Sequence, residues 1–232
     1  MNNSPNLYEP CPKHYVALDN IIFGFDEKEL KILLIKRSFE PEKGNWSLMG
    51  GFLKDEEGVD EAATRVLYEL TGLRNVFVEQ LHTYGAIHRD PVARTVSVAY
   101  YALIRVNDYD TELGKKYGAR WFPIHNYPSL IFDHPQMVQD ALDRLRSKTR
   151  TQPIGFELLP EKFTIPQLRH LYEAIHNQVY DPRNFSRKLN SMKLLIQLHE
   201  KDKENSKKGA YLYKFDPNRY KMLLSQGFSF EL

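Results

Sequence analysis

The first 150 residues alternate between hydrophobic patterns that predict strands and patterns that predict helices. Five runs rich in Val, Ile, Leu, Phe and Tyr predict strands: 16–25, 30–35, 76–80, 95–105 and 120–123. Two stretches have helical spacing instead, 59–70 ahead of Gly72, and 135–146. Because only a polar turn separates the first two strands, we expect them to form a hairpin. The pattern therefore predicts a mixed α and β fold for this part of the chain.

A second unit with helical spacing follows a short polar stretch at 147–155. Thr164 precedes Pro166, and Asp181 precedes Pro182, and each pair is typical of the capped first turn of a helix. A basic loop and an aromatic-rich strand come after the second of these helices. Helix, turn, helix, loop and strand is the outline of a winged helix-turn-helix.

These patterns divide the chain into three segments. We expect an N-terminal arm at 1–13, a larger domain at 14–150 and a winged helix-turn-helix domain at 151–232. Of the chain's 32 basic and 30 acidic residues, 13 and nine lie in the last segment, so its net charge is +4 and that of the remainder is −2. This asymmetry favours an anionic partner for the last segment, and double-stranded DNA is the leading candidate.

Composition excludes several other classes of protein. Hydrophobic residues make up 42% and charged residues 27% of the chain, as in ordinary globular proteins rather than disordered or collagenous ones. The apolar run at 96–104 is far shorter than the roughly 20 residues of a membrane helix. No secretory leader precedes it, and Cys11 has no second cysteine with which to form an intrachain disulfide. We expect a cytoplasmic protein with no membrane partner.

A motif at 51–73, GFLKDEEGVDEAATRVLYELTGL, carries the candidate chemistry. It resembles the Nudix box, in which a glycine, a glutamate and the segment Arg-Glu-aliphatic-x-Glu-Glu-x-Gly-aliphatic occur at fixed spacing. Seven of its nine specified positions match: Gly51, Glu57, Arg65, Leu67, Glu69, Gly72 and Leu73. The preceding segment WSLMGG at 46–51 resembles the lead-in to the box. The resemblance implies an α+β fold in which a Nudix-like α/β/α sandwich with a mixed sheet is followed by the winged helix domain.

Two departures from the box bear on activity. The resemblance implies a divalent-metal site made of three carboxylates, but two of those positions are Val66 and Leu70, and only Glu69 remains. The three positions share one face of a helix, and a hard cation needs several oxygen ligands there. We therefore expect no catalytic residues, no metal and no hydrolase activity. A Nudix pyrophosphohydrolase acting on ADP-ribose is the alternative hypothesis.

Other segments extend the resemblance to nearly the whole chain. The chain resembles a bacterial family of Nudix-related transcriptional regulators in four further segments, at residues 88–100, 132–134, 158–164 and 183–188. That resemblance implies a regulator that binds operator DNA and responds to an effector, which is an NAD-related nucleotide in some members and a pentose in others. Release from paired half-sites in response to the effector implies a homodimer. The apolar residues at 66 and 70 look most similar to the sugar-sensing branch. We expect a transcriptional repressor of carbohydrate metabolism that senses a pentose, with L-arabinose as the leading candidate. A regulator that senses an NAD-related nucleotide is the alternative.

Candidate DNA-binding residues lie at the start of the second helix and in the basic loop. Arg pairs with guanine and Asn with adenine, whereas lysines of a wing contact phosphates. The alternative for the helical set is an ordinary solvated helix face. The predicted set is Arg183, Asn184, Ser186, Arg187, Lys188, Asn190, Ser191, Lys207 and Lys208.

Candidate effector-binding residues combine an aromatic face with carboxylates and guanidinium groups, the chemistry that recognises a sugar. Each also has a structural interpretation, such as a core tryptophan, a helix cap or a surface turn. The predicted set is Trp46, Arg37, Arg89, Asp90, Asp133 and His134. No phosphate-binding loop, dinucleotide-binding motif or zinc-type histidine spacing occurs, so we expect no cofactor.

Overall fold

The computed structural model describes residues 10–108, 118–203, 209–228 and 230. Its strands are β1 (Tyr15–Phe25), β2 (Leu30–Lys36), β3 (Trp46–Ser47), β4 (Met49–Phe52), β5 (Phe77–Tyr84), β6 (Thr95–Arg105), β7 (Arg120–Pro123), β8 (Leu195–Asp202) and β9 (Ala210–Phe215). Its helices are α1 (Val59–Thr71), α2 (His134–Thr151), α3 (Ile165–His176), α4 (Pro182–Met192) and α5 (Pro217–Ser225). Short 3₁₀ turns lie at Val106–Asp108 and Phe156–Leu158.

Strand β1 is the centre of the larger sheet. It runs parallel to β6 through eleven residue pairs, from Tyr15↔Thr95 to Phe25↔Arg105, and antiparallel to β2 and β4. The sheet order is β3-β2-β1-β6-β5, with β4 pairing β1 and β7 pairing β2. The hairpin of β1 and β2 is confirmed, and Asp26 accepts two backbone N–H groups in its turn. Both parallel and antiparallel pairs occur, so the expectation of a mixed sheet is confirmed.

Alternation along β1 assigns its two faces to different helices. Leu18 and Ile22 face the side of α1, where Asn20 donates to the Ala63 carbonyl. Ile21 and Phe23 face α2 on the other side of the sheet. The result is the predicted α/β/α sandwich, and the residues of β1 between these apolar side chains decide what each helix meets.

The C-terminal unit is built on capped helices. Thr164 and Gln167 form a reciprocal capping box at the start of α3, and the Asp181 carboxylate accepts the Asn184 N–H at the start of α4. Strands β8 and β9 pair antiparallel, and Phe163 adds a backbone bridge to Tyr213. This is the predicted winged helix-turn-helix, with α4 in the position of the helix that reads DNA.

The structure corrects two local expectations. Residues 147–151 are not a loop, because they form the last turns of α2. Strand β8 lies where the sequence interpretation had placed the end of the second helix, as far as Ile196, and the start of the basic loop at Lys201. It begins after Lys193 ends α4 in the left-handed conformation. Lys207 and Lys208 lie outside the described residues. Within the described ranges, no helix is both long enough and apolar enough to cross a bilayer.

One hydrophobic core joins the two parts of the chain. The same buried cluster contains Ile21 of β1, Leu145 of α2, Leu171 of α3 and Leu189 of α4. A hydrogen bond crosses the junction as well: Arg146 Nε of α2 donates to the Ile175 carbonyl of α3 over 2.9 Å. The helix-turn-helix is therefore packed on the sandwich rather than suspended from a linker.

Because the core is shared, a cavity made in the C-terminal unit destabilises the whole chain. We expect Leu171→Ala, at a fully buried position, to cost about 2–5 kcal/mol and to lower the midpoint of a single cooperative transition. Urea unfolding followed by circular dichroism and by tryptophan fluorescence measures this. Leu224→Ala, at an exposed position on α5, is the matched control, with an expected change within about 0.5 kcal/mol. Two separate transitions would contradict the shared core.

Candidate functional site

A cavity of about 410 Å³ opens at the end of the sheet nearest the first turn of α2. Residues of β1, β2 and β4, the loop that contains Arg89 and Asp90, and the N-terminal end of α2 surround it. Its volume is within the range of sites for small organic ligands. Leu70 of the Nudix helix α1 also lines it, so the cavity occupies the place expected for the ligand site of the sandwich.

A buried carboxylate lies on the inner wall of this cavity. Asp19 is 7% exposed, and its Oδ2 accepts a 2.5 Å hydrogen bond from the Ser97 hydroxyl of the neighbouring strand β6. Arg89 Nη2 lies 3.6 Å from the same oxygen, and His134 Nε2 lies 3.7 Å from Oδ1. A carboxylate so placed keeps acceptor capacity on the cavity side for hydroxyl donors.

Arg89 is held on its other side by Asp133. Its Nε and Nη2 donate to the two carboxylate oxygens of Asp133 over 2.9 and 2.8 Å, a bidentate pair, although the Arg89 side chain is only 3% exposed. Asp133 occupies the N-cap position of α2 but makes no capping hydrogen bond. The residue type that best caps a helix is here committed to an ion pair at the cavity.

His134 follows directly and is also buried, at 3% exposure. The backbone N–H of Leu48 donates to its Nδ1 over 3.2 Å, so the neutral ring carries its proton on Nε2, on the side of Asp19. Burial lowers the pKa of His134 below its ordinary value of 6.5, against the opposing effect of Asp19. The ring is therefore a neutral donor at neutral pH.

The outer part of the cavity is cationic and aromatic. The Arg37 guanidinium lies 4.0 Å from the Phe39 ring centroid and 5.4 Å from that of Phe132. Its Nε is buried with no hydrogen-bond partner, and burial lowers the pKa of this group. Lys36 and Phe52 also line this part. Phe132 has φ 51°, a strained conformation for a bulky residue, at the wall where it contacts Arg37.

Gly50 allows β4 to approach the buried carboxylate. A Cβ atom at Gly50 would lie 2.5 Å from Asp19 Oδ1 and 3.0 Å from the Leu18 carbonyl oxygen. At Gly51 it would lie 2.9 Å from Val66. The two glycines of the motif are thus required by close packing against the cavity wall and against α1.

The remaining Nudix carboxylates do not form a cation site. Glu57 accepts hydrogen bonds of 2.7 and 2.6 Å from Arg65, whose guanidinium also lies 3.3 Å from Glu69. The Arg65 contact is the main reason why the pKa of Glu57 is lowered to about 2. Val66 is buried and Leu70 faces the cavity, so neither offers a ligand atom. Within the described ranges, no three His, Cys, Asp or Glu side chains are grouped to hold a metal. The divalent ion of the Nudix fold does not fit this donor set.

The structure brings together five of the six predicted effector residues. Arg37, Arg89, Asp90 and His134 line the cavity, and Asp133 fixes Arg89. Trp46 does not line it: its ring packs edge-on against Phe122 at 4.8 Å, and its carbonyl accepts the Ile131 N–H. Sequence reasoning missed Asp19, although an acidic residue inside the apolar strand β1 was the available signal.

The predicted DNA-binding side chains of α4 lie on its solvent face. Phe185, Leu189 and Met192 are buried on the opposite face. Ser186 is half-buried, and the exposed members are Arg183, Asn184, Arg187, Lys188, Asn190 and Ser191. Arg187 donates to the Asn184 side chain over 2.8 Å, which orders two of these groups. The helix thus presents a continuous polar and basic surface.

Comparison with known proteins identifies both parts. Residues 13–141 match the NUDIX domain family, and residues 155–215 match the family described as the NrtR DNA-binding winged helix domain. The "ADPR responsive transcriptional repressor NtrR" of Acinetobacter baylyi is 32% identical over 208 residues, which cover 88% of this chain and 83% of that protein. The chain belongs to the NrtR family of Nudix-related regulators.

Solved NrtR structures agree with this assignment. Shewanella oneidensis NrtR complexed with a 27mer DNA superposes with a TM-score of 0.80 at 30% identity, covering 89% of this chain and 95% of that one. The NUDIX domain of the same protein complexed with ADP ribose gives a TM-score of 0.51 at 29% identity, covering 60% and 94%. The ADP-ribose pyrophosphatase of Methanocaldococcus jannaschii is 37% identical over 128 residues, 55% of this chain and 72% of that protein.

Membership of the NrtR family confirms a Nudix domain joined to a DNA-binding winged helix and corrects the predicted effector. The L-arabinose specificity, and with it a role in carbohydrate metabolism, is not supported, because the NrtR-type relatives are named or crystallised with ADP-ribose. The assignment to a sugar-sensing branch rested on two apolar positions, Val66 and Leu70. Two apolar side chains do not by themselves distinguish one organic ligand from another.

The buried ring of His134 predicts a pH-dependent stability. Its pKa is lowered in the folded protein, so as the pH falls below about 6.5 the unfolded chain takes up a proton first and unfolding becomes more favourable. We expect the free energy of unfolding to fall less steeply from pH ~7 to ~5 in His134→Asn, whose amide oxygen can still accept the Leu48 N–H. Urea titrations at each pH measure the slope. His176, whose pKa is lowered to about 4, contributes equally in both proteins. Identical slopes would contradict the neutral buried ring.

Proposed function

We propose that this protein is a DNA-binding transcriptional repressor that senses ADP-ribose in its Nudix domain without hydrolysing it. The observation that carries the proposal is the cavity at Asp19 and Arg89 in a chain that continues into a helix-turn-helix of the NrtR family. The relative that matches 88% of the chain is named for a response to the same ligand. Helix-turn-helix proteins bind paired half-sites as dimers, so the proposal includes a homodimer.

The inner part of the cavity suits the hydroxyl groups of a ribose. Asp19 offers an acceptor, and the buried Arg89 and His134 offer donors, all within one small volume. Vicinal hydroxyls both donate and accept, so they satisfy such a mixed set better than a phosphate would. Both acids near Arg89 already balance its charge, which leaves this part without free positive charge for an anion.

The outer part suits the diphosphate and the base. Arg37 and Lys36 supply positive charge, and the Arg37 Nε has no protein partner. Phe39 and Phe52 are exposed at 53% and 48%, which is unusual for phenylalanine and gives flat apolar surfaces on which a purine can stack. A ligand with a ribose at one end, a diphosphate and an aromatic base matches the order of these groups.

Absence of hydrolysis follows from the donor set of α1. A metal-assisted attack on a diphosphate needs an ion that polarises it, and Val66 and Leu70 replace two of the three carboxylates expected there. Arg65 pairs with Glu69, the one carboxylate that remains, and with Glu57, which precedes the helix. The proposed role of the domain is therefore to bind its ligand and release it unchanged.

The effector proposal is tested by calorimetry of the purified full-length protein with ADP-ribose, AMP, D-ribose and L-arabinose, with Mg²⁺ present. We expect saturable binding of ADP-ribose without release of AMP. Arg37→Met keeps an apolar stem but removes the charge, and we expect it to weaken ADP-ribose binding at least about tenfold. Arg74→Met, on an exposed arginine stacked on Tyr68 outside the cavity, is the control.

Three results would contradict the proposal. Binding of a free pentose with no binding of ADP-ribose would assign the cavity to a sugar. Release of AMP that depends on Mg²⁺ and disappears in Glu69→Gln would restore the hydrolase. Equal ADP-ribose affinity in Arg37→Met and wild type would remove the diphosphate from the outer part of the cavity.

DNA reading is tested with a duplex selected from a random pool by the wild-type protein. We expect Arg187→Ala on the solvent face of α4 to weaken binding to that duplex at least about tenfold, since a base contact of this kind contributes about 1–3 kcal/mol. Fluorescence anisotropy at fixed salt measures the affinity. Arg120→Ala, at the exposed first residue of strand β7 in the sandwich, makes the same change of charge. We expect its affinity for the duplex to stay within about twofold of wild type. Equal losses in both variants would indicate binding by overall charge alone.

A further inference from the structure

We propose that helix α2 is the element that couples the effector cavity to the DNA-reading helix, with Asp133 at one end and Thr149 and Arg146 at the other. The inference rests on the proposed function for the identity of the ligand but not for the coupling itself. The coupling links the occupancy of the cavity to the position of α4.

The N-terminal end of α2 is part of the cavity wall. Asp133 at its N-cap binds Arg89 through both carboxylate oxygens, and His134 in its first turn faces Asp19. Arg89 and His134 both line the cavity. A ligand that takes over hydrogen bonds of Arg89 therefore changes the ion pair that holds Asp133, and so the position of the first turn of the helix.

The helix itself transmits displacement along its axis. Its 18 residues span about 27 Å at 1.5 Å per residue. One face is buried along the whole length, from Met137 through Ala141 and Leu145 to Thr149. A continuous helix packed on one face moves as a unit, because close-packed interiors do not absorb local shifts.

The C-terminal end of α2 is bonded to the last turn of α3. Arg146 Nε donates to the Ile175 carbonyl over 2.9 Å, and the Thr149 hydroxyl lies 3.1 Å from His176 Nε2. Burial and the charges of Arg146 and Arg150 lower the pKa of His176 to about 4, so this ring is neutral in the contact. Asn177 then ends α3 in the left-handed conformation and begins the turn that leads to α4.

Aromatic contacts continue from this point to the reading helix. The His176 and Tyr180 rings lie 6.2 Å apart, and the Tyr180 and Phe185 rings 5.8 Å apart. Tyr172 also contacts Phe185, at 6.0 Å. Phe185 is the buried residue in the first turn of α4, next to Arg183 and Arg187 on its solvent face. A shift of α2 is thus passed to α4 through contiguous packed groups.

A swinging linker is the competing device, and the described residues do not favour it. Residues 147–151 are helical. Gly155 lies close against α3, because a Cβ atom at this position would lie 3.6 Å from Ile175 and 3.7 Å from Leu171. The core is continuous across this junction. Displacement of a helix within a shared core, by an ångström or two, is a known means of switching.

The coupling is tested by a double-mutant cycle read by hydrogen exchange in the free protein, so that neither ligand nor DNA is needed. Asp133→Asn weakens the ion pair at one end, and Thr149→Val removes the hydroxyl at the other. When Asp133→Asn is introduced into the otherwise wild-type chain, we expect the rate of amide hydrogen exchange in a peptide covering 177–192 to rise at least about fivefold. When it is introduced into the Thr149→Val background, we expect that rate to rise less than about twofold. A peptide from β9 is the internal reference for global destabilisation.

Two further variants separate coupling from loss of packing. Thr149→Ser keeps the hydroxyl, and we expect it to behave as wild type. Thr151→Val removes an exposed hydroxyl two residues further along the same helix and should leave the response to Asp133→Asn intact. In a second arm, ADP-ribose is expected to weaken DNA binding of the wild type at least about fivefold but that of Thr149→Val less than about twofold.

The outcomes distinguish the coupling from the proposed function. No effect of Asp133→Asn on the 177–192 peptide, or an equal effect in both backgrounds, would overturn the role of α2. A non-additive cycle together with a wild type that ignores ADP-ribose would leave the coupling supported and reject the ligand.

Discussion

The ion pair between Arg89 and Asp133 is the interaction on which the cavity depends. Arg89 has almost no exposure, so its charge is tolerated only because Asp133 and Asp19 lie on either side of it. The two acids come from β1 and from the start of α2, and the arginine comes from the loop before β6. Fixing that one guanidinium therefore fixes the relation of sheet, loop and helix around the ligand site.

A second constraint is the shared core beneath this site. In a chain of 232 residues two independent domains could each have buried a core, but here α3 and α4 complete the packing of α2 instead. The polar face of α2 remains in solvent, and its C-terminal turns serve the helix-turn-helix as scaffold. The consequence is that the buried face of α4 belongs to the same core as the sandwich.

Much of this fold could be predicted from the sequence, because its signals are local. Apolar runs located β1, β2 and β6, and the Thr164 and Asp181 caps located the starts of α3 and α4. Strand β8 was missed because Ile196 continues the helical spacing of α4, and a register shift between Gln197 and Lys201 removes the alternation expected of a strand. The end of α2 was missed because charged residues such as Lys148 and Arg150 are as common in a solvated linker as in the last turn of a helix.

The site was predicted less completely, for a physical reason. Arg89, Asp133 and His134 were found from a resemblance, but Asp19 lies in an apolar strand, and its importance comes from a parallel register with β6 that places Ser97 beside it. The effector could not be deduced from Val66 and Leu70, because two apolar side chains, of which Leu70 lines the cavity, do not specify the polar groups of a ligand. Ligand identity depends on the spacing of groups that are distant in sequence.

Asp133, at the uncapped start of α2, has two possible partners that compete for its carboxylate. Asp133 stands where a carboxylate would normally accept a backbone N–H of the first turn, a bond that contributes about 1 kcal/mol, and the Arg89 pair holds it away from that position. Without Arg89, the same carboxylate would be free to accept that N–H at the helix terminus, where the dipole also favours it. A buried ion pair is worth more than a cap, since loss of one partner costs about 3–5 kcal/mol, so the Arg89 contact prevails and the first turn of α2 is tied to the loop before β6 instead of being closed by its own N-cap.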